Sequence, residues 1–60
     1  MKRKALRLAR YTEELSQQDV ANYLGISQNY YSKIELGNAR PSLEQIKLLI
    51  KLLKIKIEIL

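Results

Sequence analysis

The segment that decides the fold is Ser16–Gly37, which reads SQQDVANYLGISQNYYSKIELG. It contains two stretches predicted to be helical, at 17–24 and 28–36, and only Gly25-Ile26-Ser27 separates them. So short a turn forces the two helices to cross sharply, and glycine supplies the left-handed backbone conformation that the turn needs. The segment therefore predicts a helix-turn-helix.

Serines predict where the helices begin, because a serine hydroxyl accepts a hydrogen bond from an unpaired amide of the first turn. Ser16, Ser27 and Ser42 all hold such positions, and Ser42 with Gln45 fits a capping box. Two further helices are predicted at about 2–13 and 43–54. The expected fold class is mainly α, a compact bundle of four helices in one domain that spans residues 1–60.

The C-terminal segment 55–60 breaks the helical pattern. Its first five residues alternate isoleucine with a charged residue, which is typical of a strand. A single strand needs a pairing partner. The alternatives are a short fifth helix or a frayed end.

Composition narrows the class of function. The chain has 60 residues, 11 basic and 6 acidic, for a net charge of +5, and residues 1–10 contain basic residues but no acid. A basic arm on a neutral body indicates a polyanionic partner, either nucleic acid or an anionic membrane surface. Cysteine and histidine are absent, and no nucleophile–base pair is visible. We therefore expect no enzyme activity, metal or cofactor, and no room for an effector domain or membrane span.

The second helix of the motif has a polar face suited to reading DNA bases. Tyr31 and Ile34, three residues apart, should point inward. Glutamine and asparagine pair bidentately with adenine, and lysine reaches the guanine acceptors of the major groove. The side chains expected on the outward face are Gln28, Asn29, Ser32 and Lys33.

Together with Leu15 before it and Pro41-Ser42-Leu43 after it, the segment closely resembles the XRE-type family. These are the lambda-repressor-like and Cro-like DNA-binding domains of phages and bacteria, and the resemblance covers Leu6 to Leu60. It implies a sequence-specific regulator of double-stranded DNA, most often a repressor, located in the cytoplasm with the nucleoid. An antitoxin and a restriction-modification controller share the fold. An amphipathic membrane-surface or partner-binding module is the alternative of another class, which the caps and the apolar core pattern disfavour.

The resemblance also implies roles for individual residues. Base contacts are expected at Gln28, Asn29 and Lys33, with Ser32 beside them. An arginine–glutamate pair, here Arg10 and Glu35, would tie the first helix to the third and hold Arg10 near a phosphate. Arg40 is equally consistent with a role in solubility, and Tyr30 is placed outward because Tyr31 fills the inward position. The residues expected at phosphates are Gln17, Ser27, Tyr30, Asn38, Arg40 and Arg10.

The sequence departs from the family pattern in three places. Glu14 stands where a glycine is usual, so the first helix lacks its customary C-terminal residue. Leu36 replaces a polar or basic residue, and Lys56 replaces a serine that commonly caps a fifth helix. The last departure favours a strand in the C-terminal segment.

A homodimer is expected because the C-terminal part carries more apolar residues than one core uses. The inward stripe of the fourth helix is predicted to be Ile46, Leu49, Ile50 and Leu53. An uncovered apolar patch of this size indicates an interface. The residues expected at the dimer interface are Leu48, Leu52, Ile55, Ile57 and Ile59. A further protein partner stays unknown.

Overall fold

The structure is a computed structural model that describes residues 3–60, apart from the side chain of Ile59. In this part of the chain the elements, in order, are α1 (Lys4–Thr12), α2 (Gln17–Leu24), α3 (Gln28–Leu36), α4 (Leu43–Leu53) and a 3-10 helix (Ile57–Ile59). No residue between 3 and 60 lies in a strand. The expected mainly α bundle of four helices is confirmed.

The serine caps form as expected. The hydroxyl of Ser16 accepts from the Asp19 amide at 3.0 Å, and the Asp19 carboxylate accepts from the Ser16 amide at 2.9 Å. Ser42 and Gln45 form the same reciprocal capping box, with bonds of 3.2 and 2.9 Å. Ser27 accepts from the first turn of α3. These bonds satisfy amides that would otherwise lack partners and fix where α2, α3 and α4 begin.

Helix ends agree with expectation for α2 and α3, and less closely for α1 and α4. Gly25 and Gly37 follow α2 and α3 with φ of 72° and 81°, in the left-handed region that glycine adopts without strain. The first helix starts at Lys4 rather than at about residue 2, and Lys2 lies outside the described residues. The fourth ends one residue early, because Lys54 takes a positive φ of 57°.

The core lies between all four helices. Ala21 is fully buried, and its small side chain allows α2 and α3 to cross closely. Each helix contributes at least one residue that is less than a tenth exposed. The buried apolar residues are Leu6, Val20, Ala21, Leu24, Tyr31, Ile34, Leu49 and Leu53.

The inward stripe of α4 differs from the predicted one. Ile46 and Ile50 are half-buried and lie outside the core cluster, whereas Leu48 and Leu52 pack against it. Leu48 and Leu52, which were expected to be surplus to the core and free for a dimer interface, therefore have partners inside the fold. The helix is apolar on most of its circumference, so periodicity alone allowed two stripes. In the structure the stripe of Leu48, Leu49, Leu52 and Leu53 faces the core, and α4 contacts α2.

The strand alternative for segment 55–60 is also wrong in the described chain, where Ile57–Ile59 forms a short 3-10 helix. Ile55 and Leu60 pack against the core, while Ile57 is 58% exposed. A lone strand would leave its ladder of amides and carbonyls unpaired, whereas a helical turn satisfies some of them locally. The side chain of Ile59, expected at the dimer interface, lies outside the described part.

Candidate nucleic-acid interface

Helix α3 has one buried face and one exposed face. Tyr31 and Ile34 are fully buried, as expected from their spacing. Gln28 and Asn29 occupy the first turn and are exposed, and Lys33 is exposed one turn further along. The first turn is capped by the Ser27 hydroxyl, and the helix is anchored in the core by Tyr31 and Ile34. A rigid helix with exposed polar groups at its N-terminal end is the geometry that enters a major groove.

Ser32 is separated from the other three candidates for base contact. It is half-buried and faces a cleft between α1 and α3, which it lines together with Gln17. The structure brings Gln28, Asn29 and Lys33 to the surface and places Ser32 at its edge.

The candidates for phosphate contact surround α3. Ser27 caps the helix, and its hydroxyl accepts from the Tyr30 amide at 3.0 Å. Asn38 and Arg40 are exposed in the loop that follows. Tyr30 is half-buried against the core rather than simply outward, and its hydroxyl donates to the Arg40 carbonyl at 3.1 Å. This hydrogen bond holds the loop against the helix.

Gln17, which was expected to contact a phosphate, also has a hydrogen-bond partner within the protein that the sequence did not reveal. Its side-chain amide donates to the Glu35 carboxylate at 3.1 Å, so Gln17 is half-buried and tied to α3. Glu35 itself is only 6% exposed. The bond fixes the start of α2 relative to the recognition helix.

Arg10 and Glu35 meet in the interior. The Arg10 Nε donates to one Glu35 carboxylate oxygen at 2.6 Å, and Nη2 donates to the other at 3.1 Å. Nη1 donates to the Leu15 carbonyl at 3.1 Å, and the guanidinium lies 4.7 Å from the centre of the Tyr11 ring. Each guanidinium nitrogen has a partner within the protein, and the residue is 6% exposed. Arg10 therefore joins α1, α3 and the turn after α1 into one unit.

The ionic form of this pair is favoured despite its burial. Burial alone would raise the pKa of Glu35, but the hydrogen bonds that it accepts, above all from Arg10, hold that pKa below its usual value. The bond to Glu35 raises the pKa of Arg10 in turn, against the opposing effect of burial. Both residues consequently stay charged over the neutral range.

The Tyr31 hydroxyl lies next to this pair. Among the described residues it finds no hydrogen-bond partner of acceptable geometry. Burial raises the pKa of Tyr31 far above its usual range, and the nearby Glu35 carboxylate acts in the same direction. The hydroxyl is therefore protonated at neutral pH.

Arg3 belongs to the basic segment 1–10, and its half-buried side chain donates hydrogen bonds to backbone carbonyls of the fold. Its amide donates to the Glu35 carbonyl at 2.8 Å, and Nη1 donates to the carbonyls of Ile34 at 2.6 Å and Ala39 at 3.0 Å. Nε lies 3.4 Å from the Leu60 carbonyl. Backbone carbonyls have no signature in a sequence, so no pattern could have predicted these partners.

A second feature that sequence reasoning missed is the cleft between α1 and α3, here called the α1–α3 cleft. Its volume is about 170 Å³. Lining side chains come from both helices and from Gln17 at the start of α2, and they include four cations and one carboxylate. The lining residues are Arg3, Lys4, Arg7, Arg10, Tyr11, Gln17, Ser32, Glu35 and Leu36.

Two comparisons with known proteins bear on the family. The model of the HTH_3 family, described as helix-turn-helix, matches residues 4–60. No match to the chain is found among curated proteins.

The structure adds one observation on membranes: along residues 3–60, the helices are all too short or too polar to cross one.

The residues matched by the family model include the whole of α2 and α3, with the sharp turn and the exposed polar face described above. HTH_3 is a DNA-binding family and not an enzyme family. The chain therefore belongs to the XRE-type helix-turn-helix family and carries a DNA-binding domain of the transcription-regulator type.

Proposed function

We propose that this protein is a sequence-specific repressor that binds a pseudo-palindromic operator as a homodimer, with α3 in the major groove. The observation that carries the proposal is the division of α3 into two faces. Tyr31 and Ile34 are fully buried, whereas Gln28, Asn29 and Lys33 are exposed. Such a regulator would work in the cytoplasm of a prokaryotic cell, in association with DNA.

Base reading follows from the chemistry of the exposed side chains. Gln28 and Asn29 each carry a donor and an acceptor on one planar amide, which matches the N6 and N7 edge of adenine. Lys33 is one turn further along and would donate to guanine O6 or N7. We expect the preferred half-site to contain adenine opposite the first turn of α3.

Phosphate contacts would fix the register of the helix in the groove. Asn38 and Arg40 are exposed in the loop beyond α3 and would meet the backbone of one strand. Gln17 is the first residue of α2, Ser27 caps α3, and Tyr30 lies in the first turn of α3 with its hydroxyl on the loop at Arg40. All three would contact phosphates. Arg10 is revised to a positioning role, since its guanidinium is buried and bonded to Glu35 and Leu15.

The size of the molecule supports a dimer. The Cα trace extends at most 22 Å, while successive major grooves on one side of a duplex lie about 34 Å apart. One copy therefore reads one groove. A two-fold dimer places two recognition helices on one face of the DNA, and its operator repeats as an inverted pair of half-sites.

The dimer surface that we propose uses α4 and the segment beyond it. Leu43 and Ile57 are 66% and 58% exposed. Ile46 and Ile50 share a face of α4 with Leu43 and do not pack against the core cluster. These four replace Leu48, Leu52 and Ile55, because those side chains pack internally.

The specificity of α3 is tested by selecting bound duplexes from a random library and sequencing them. Gln28→Ala should weaken the best site by about 1–3 kcal/mol and relax preference at one base pair. Gln18→Ala is the matched control, because Gln18 is an exposed glutamine whose amide bonds Asn22 within α2. An unchanged motif in the Gln28 variant would mean that another element reads the bases.

The dimer is tested by sedimentation of the full chain at micromolar concentration. Leu43→Glu and Ile57→Asp should each shift the mass toward that of one copy. Leu8→Glu is the control, since Leu8 is 60% exposed on α1. A wild-type chain that sediments as a monomer without DNA would contradict the dimer.

A further inference from the structure

Three large apolar side chains, on α1 and at the end of α3, form an exposed surface that we call the apolar patch. They are Leu8, Tyr11 and Leu36, and the first two are more than half exposed. Leu8 and Tyr11 are three residues apart on α1, so they project from the same side of the helix. Tyr11 and Leu36 line the α1–α3 cleft together, which brings side chains of both helices to one surface.

Two cations flank the apolar patch. Lys4 and Arg7 are exposed, and their side chains make no ion pair or hydrogen bond within residues 3–60. Lys4 lies four residues before Leu8, and Arg7 lies four residues before Tyr11, so each cation is one helical turn from an apolar neighbour. The surface therefore offers apolar side chains and positive charge together.

The core, the DNA surface and the proposed dimer surface all leave the apolar patch uncovered. Its three side chains do not pack against the core cluster, and the proposed dimer surface is on α4 and the segment beyond it. A DNA phosphate would pair with Lys4 or Arg7 but gives apolar side chains nothing to pack against. Leu36 stands where the family usually has a polar or basic residue, so the fold does not require it to be apolar. Adjacent exposed apolar residues on a small domain mark a site of interaction.

The shape and the charge of this surface decide which kind of partner fits it. Tyr11 and Leu36 lie in a concave cleft of about 170 Å³, which an inserted protein side chain fills and a flat bilayer surface does not enter. The lining has a net charge of +3, from four cations and one carboxylate, and attracts a negatively charged partner. An amphipathic helix with acidic flanks carries apolar and anionic side chains on adjacent faces.

We propose that the apolar patch and the α1–α3 cleft dock an acidic amphipathic helix of another protein. Apolar side chains of that helix pack on Leu8, Tyr11 and Leu36, and its carboxylates pair with Lys4 and Arg7. The apolar contacts supply most of the affinity, whereas the charges speed association and fix the orientation of the helix.

Docking at this surface also regulates DNA binding, and this part of the inference rests on the proposed function. Gln17, a proposed phosphate contact, lines the cleft, and so does Ser32, one residue before Lys33. A helix seated in the cleft places its carboxylates where the DNA backbone would pass. Overlap and like-charge repulsion then prevent the two ligands from binding together, so the partner releases the operator.

The docking is tested with a designed, stapled peptide of about 16 residues, since shorter isolated helices are marginal in water. The peptide carries leucines at positions i, i+3, i+4 and i+7, with glutamates on either side of this stripe. Fluorescence anisotropy of the labelled peptide with the full chain, without DNA, should show saturable binding. A peptide of the same composition in scrambled order, and one with glutamine in place of glutamate, should each bind at least about tenfold more weakly.

Substitutions in the chain show where the peptide binds. Leu8→Ala and Tyr11→Ala should each weaken binding by about tenfold, and Arg7→Gln should weaken it most at low salt. Tyr23→Ala is the matched control for Tyr11→Ala, because Tyr23 is exposed on α2 outside the apolar patch. Lys47→Gln, on the exposed side of α4, is the control for Arg7→Gln. Thermal melts check folding, and Leu8→Ala carries the test if Tyr11→Ala does not fold.

Three outcomes would overturn the docking surface. The first is an absence of saturable binding, or equal affinity of the peptide for wild type and for the Leu8 and Tyr11 variants. The second is binding of the chain to anionic vesicles through Leu8 and Tyr11 without binding of the peptide, which would assign the surface to a membrane. The third is a lower sedimenting mass of Leu8→Glu than of wild type, which would assign it to a second copy of the chain.

A competition experiment separates this inference from the proposed function. The peptide is titrated into the complex of the protein with the selected duplex, and it should displace the duplex from wild type but not from Leu8→Ala. Peptide binding with the duplex retained would overturn the regulation of DNA binding and support the docking surface alone. If the chain selected no duplex, peptide binding without DNA would still support the docking surface, and only the proposed function would fail.

Discussion

Glu14 is the residue whose backbone conformation suits its side chain least. It follows the C-terminal cap of α1 with φ of 57°, where a Cβ atom is crowded and glycine is not. Glu14→Gly should therefore stabilise the fold by about 0.5–1 kcal/mol, measured by urea unfolding. Glu13→Gly is the control: Glu13 has φ of −86°, so glycine there should lower stability. A Glu14→Gly chain less stable than wild type would show that Glu14 carries no backbone strain.

Some residue-level features could be predicted from the sequence and others could not. The missing glycine at position 14 was visible, and so were the capping serines, because caps depend on neighbours within three residues. The bond from Gln17 to Glu35 joins positions 18 residues apart and was not foreseen. Side chains whose partners are distant in sequence have many candidate contacts, and only the packing of the helices selects one.

The pair of Arg10 and Glu35 connects two elements, α1 and α3. Removing one partner leaves the other as a buried charge without a counterion. Glu35→Ala and Arg10→Ala should therefore each lower the free energy of unfolding by several times the ~0.5 kcal/mol of an exposed ion pair. The double variant should cost less than the sum, with a coupling of about 1 kcal/mol or more. Thermal melts of the wild type, the two single variants and the double variant measure this coupling. If the alanine variants do not fold, Glu35→Gln replaces Glu35→Ala.

An exposed ion pair within the chain provides the control for this cycle. Lys54 lies 3.9 Å from Glu13, and the Lys54 side chain is 77% exposed. Its coupling should be within about 0.5 kcal/mol of zero. Strict additivity in the buried cycle as well would mean that Arg10 and Glu35 do not interact in solution.

Acid should weaken the same pair. The pKa of Glu35 in the fold is below its ordinary value of 4.5, so unfolding releases a carboxylate that binds protons more readily. The stabilisation is complete above that ordinary value and is lost as pH falls through the lower pKa of the folded state. Urea unfolding between neutral pH and about pH 3 should show this decline, and Glu35→Gln should flatten it.

Asp19 contributes to the acid response and has to be separated from Glu35. Its pKa is also lowered, chiefly by the hydrogen bond from the Ser16 amide. Asp19 is exposed, so the Asp19→Asn variant measures how much of the loss of stability in acid comes from this surface carboxylate. The loss that remains in that variant is then compared with the loss in Glu35→Gln. If Asp19→Asn removed the whole decline and Glu35→Gln removed none of it, the buried pair would not be the acid-sensitive element.

Element boundaries followed from the sequence wherever a cap or a glycine marks them, as at Ser16, Gly25 and Gly37. The orientation of α4 did not, because its run of leucines and isoleucines offers two apolar stripes of equal period. The alternation in segment 55–60 predicted a short strand, with a fifth helix as the alternative, and Ile57–Ile59 forms a 3-10 helix. Alternation describes which side chains share a face, but a strand also needs a partner strand, and residues 3–60 contain none.

At the scale of the whole molecule, Arg3 fastens separate parts of the chain. Its guanidinium donates to carbonyls of Ile34 and Ala39 and lies near that of Leu60, so one side chain links α1 to the end of α3, the following loop and segment 55–60. Carbonyls at a helix end lack partners within the helix, and a cation there also favours the negative end of the helix dipole. Only the assembled fold brings these carbonyls together, so the sequence could not show that one cation of the basic segment 1–10 binds within the protein.

Arg3→Gln should therefore destabilise the protein by about 1–3 kcal/mol, the cost of leaving partly buried carbonyls without a charged donor. Hydrogen exchange should accelerate at the amides of Asn38, Ala39 and Leu60, whose segments Arg3 holds together. Lys4→Gln removes a neighbouring exposed charge and should leave both stability and exchange unchanged. Arg3→Lys should recover only part of the loss, because an ammonium group lacks the planar fork that reaches several carbonyls at once. Equal stability in the Arg3→Gln and Lys4→Gln chains would mean that Arg3 is an ordinary surface cation. Its guanidinium would then be free to contact DNA.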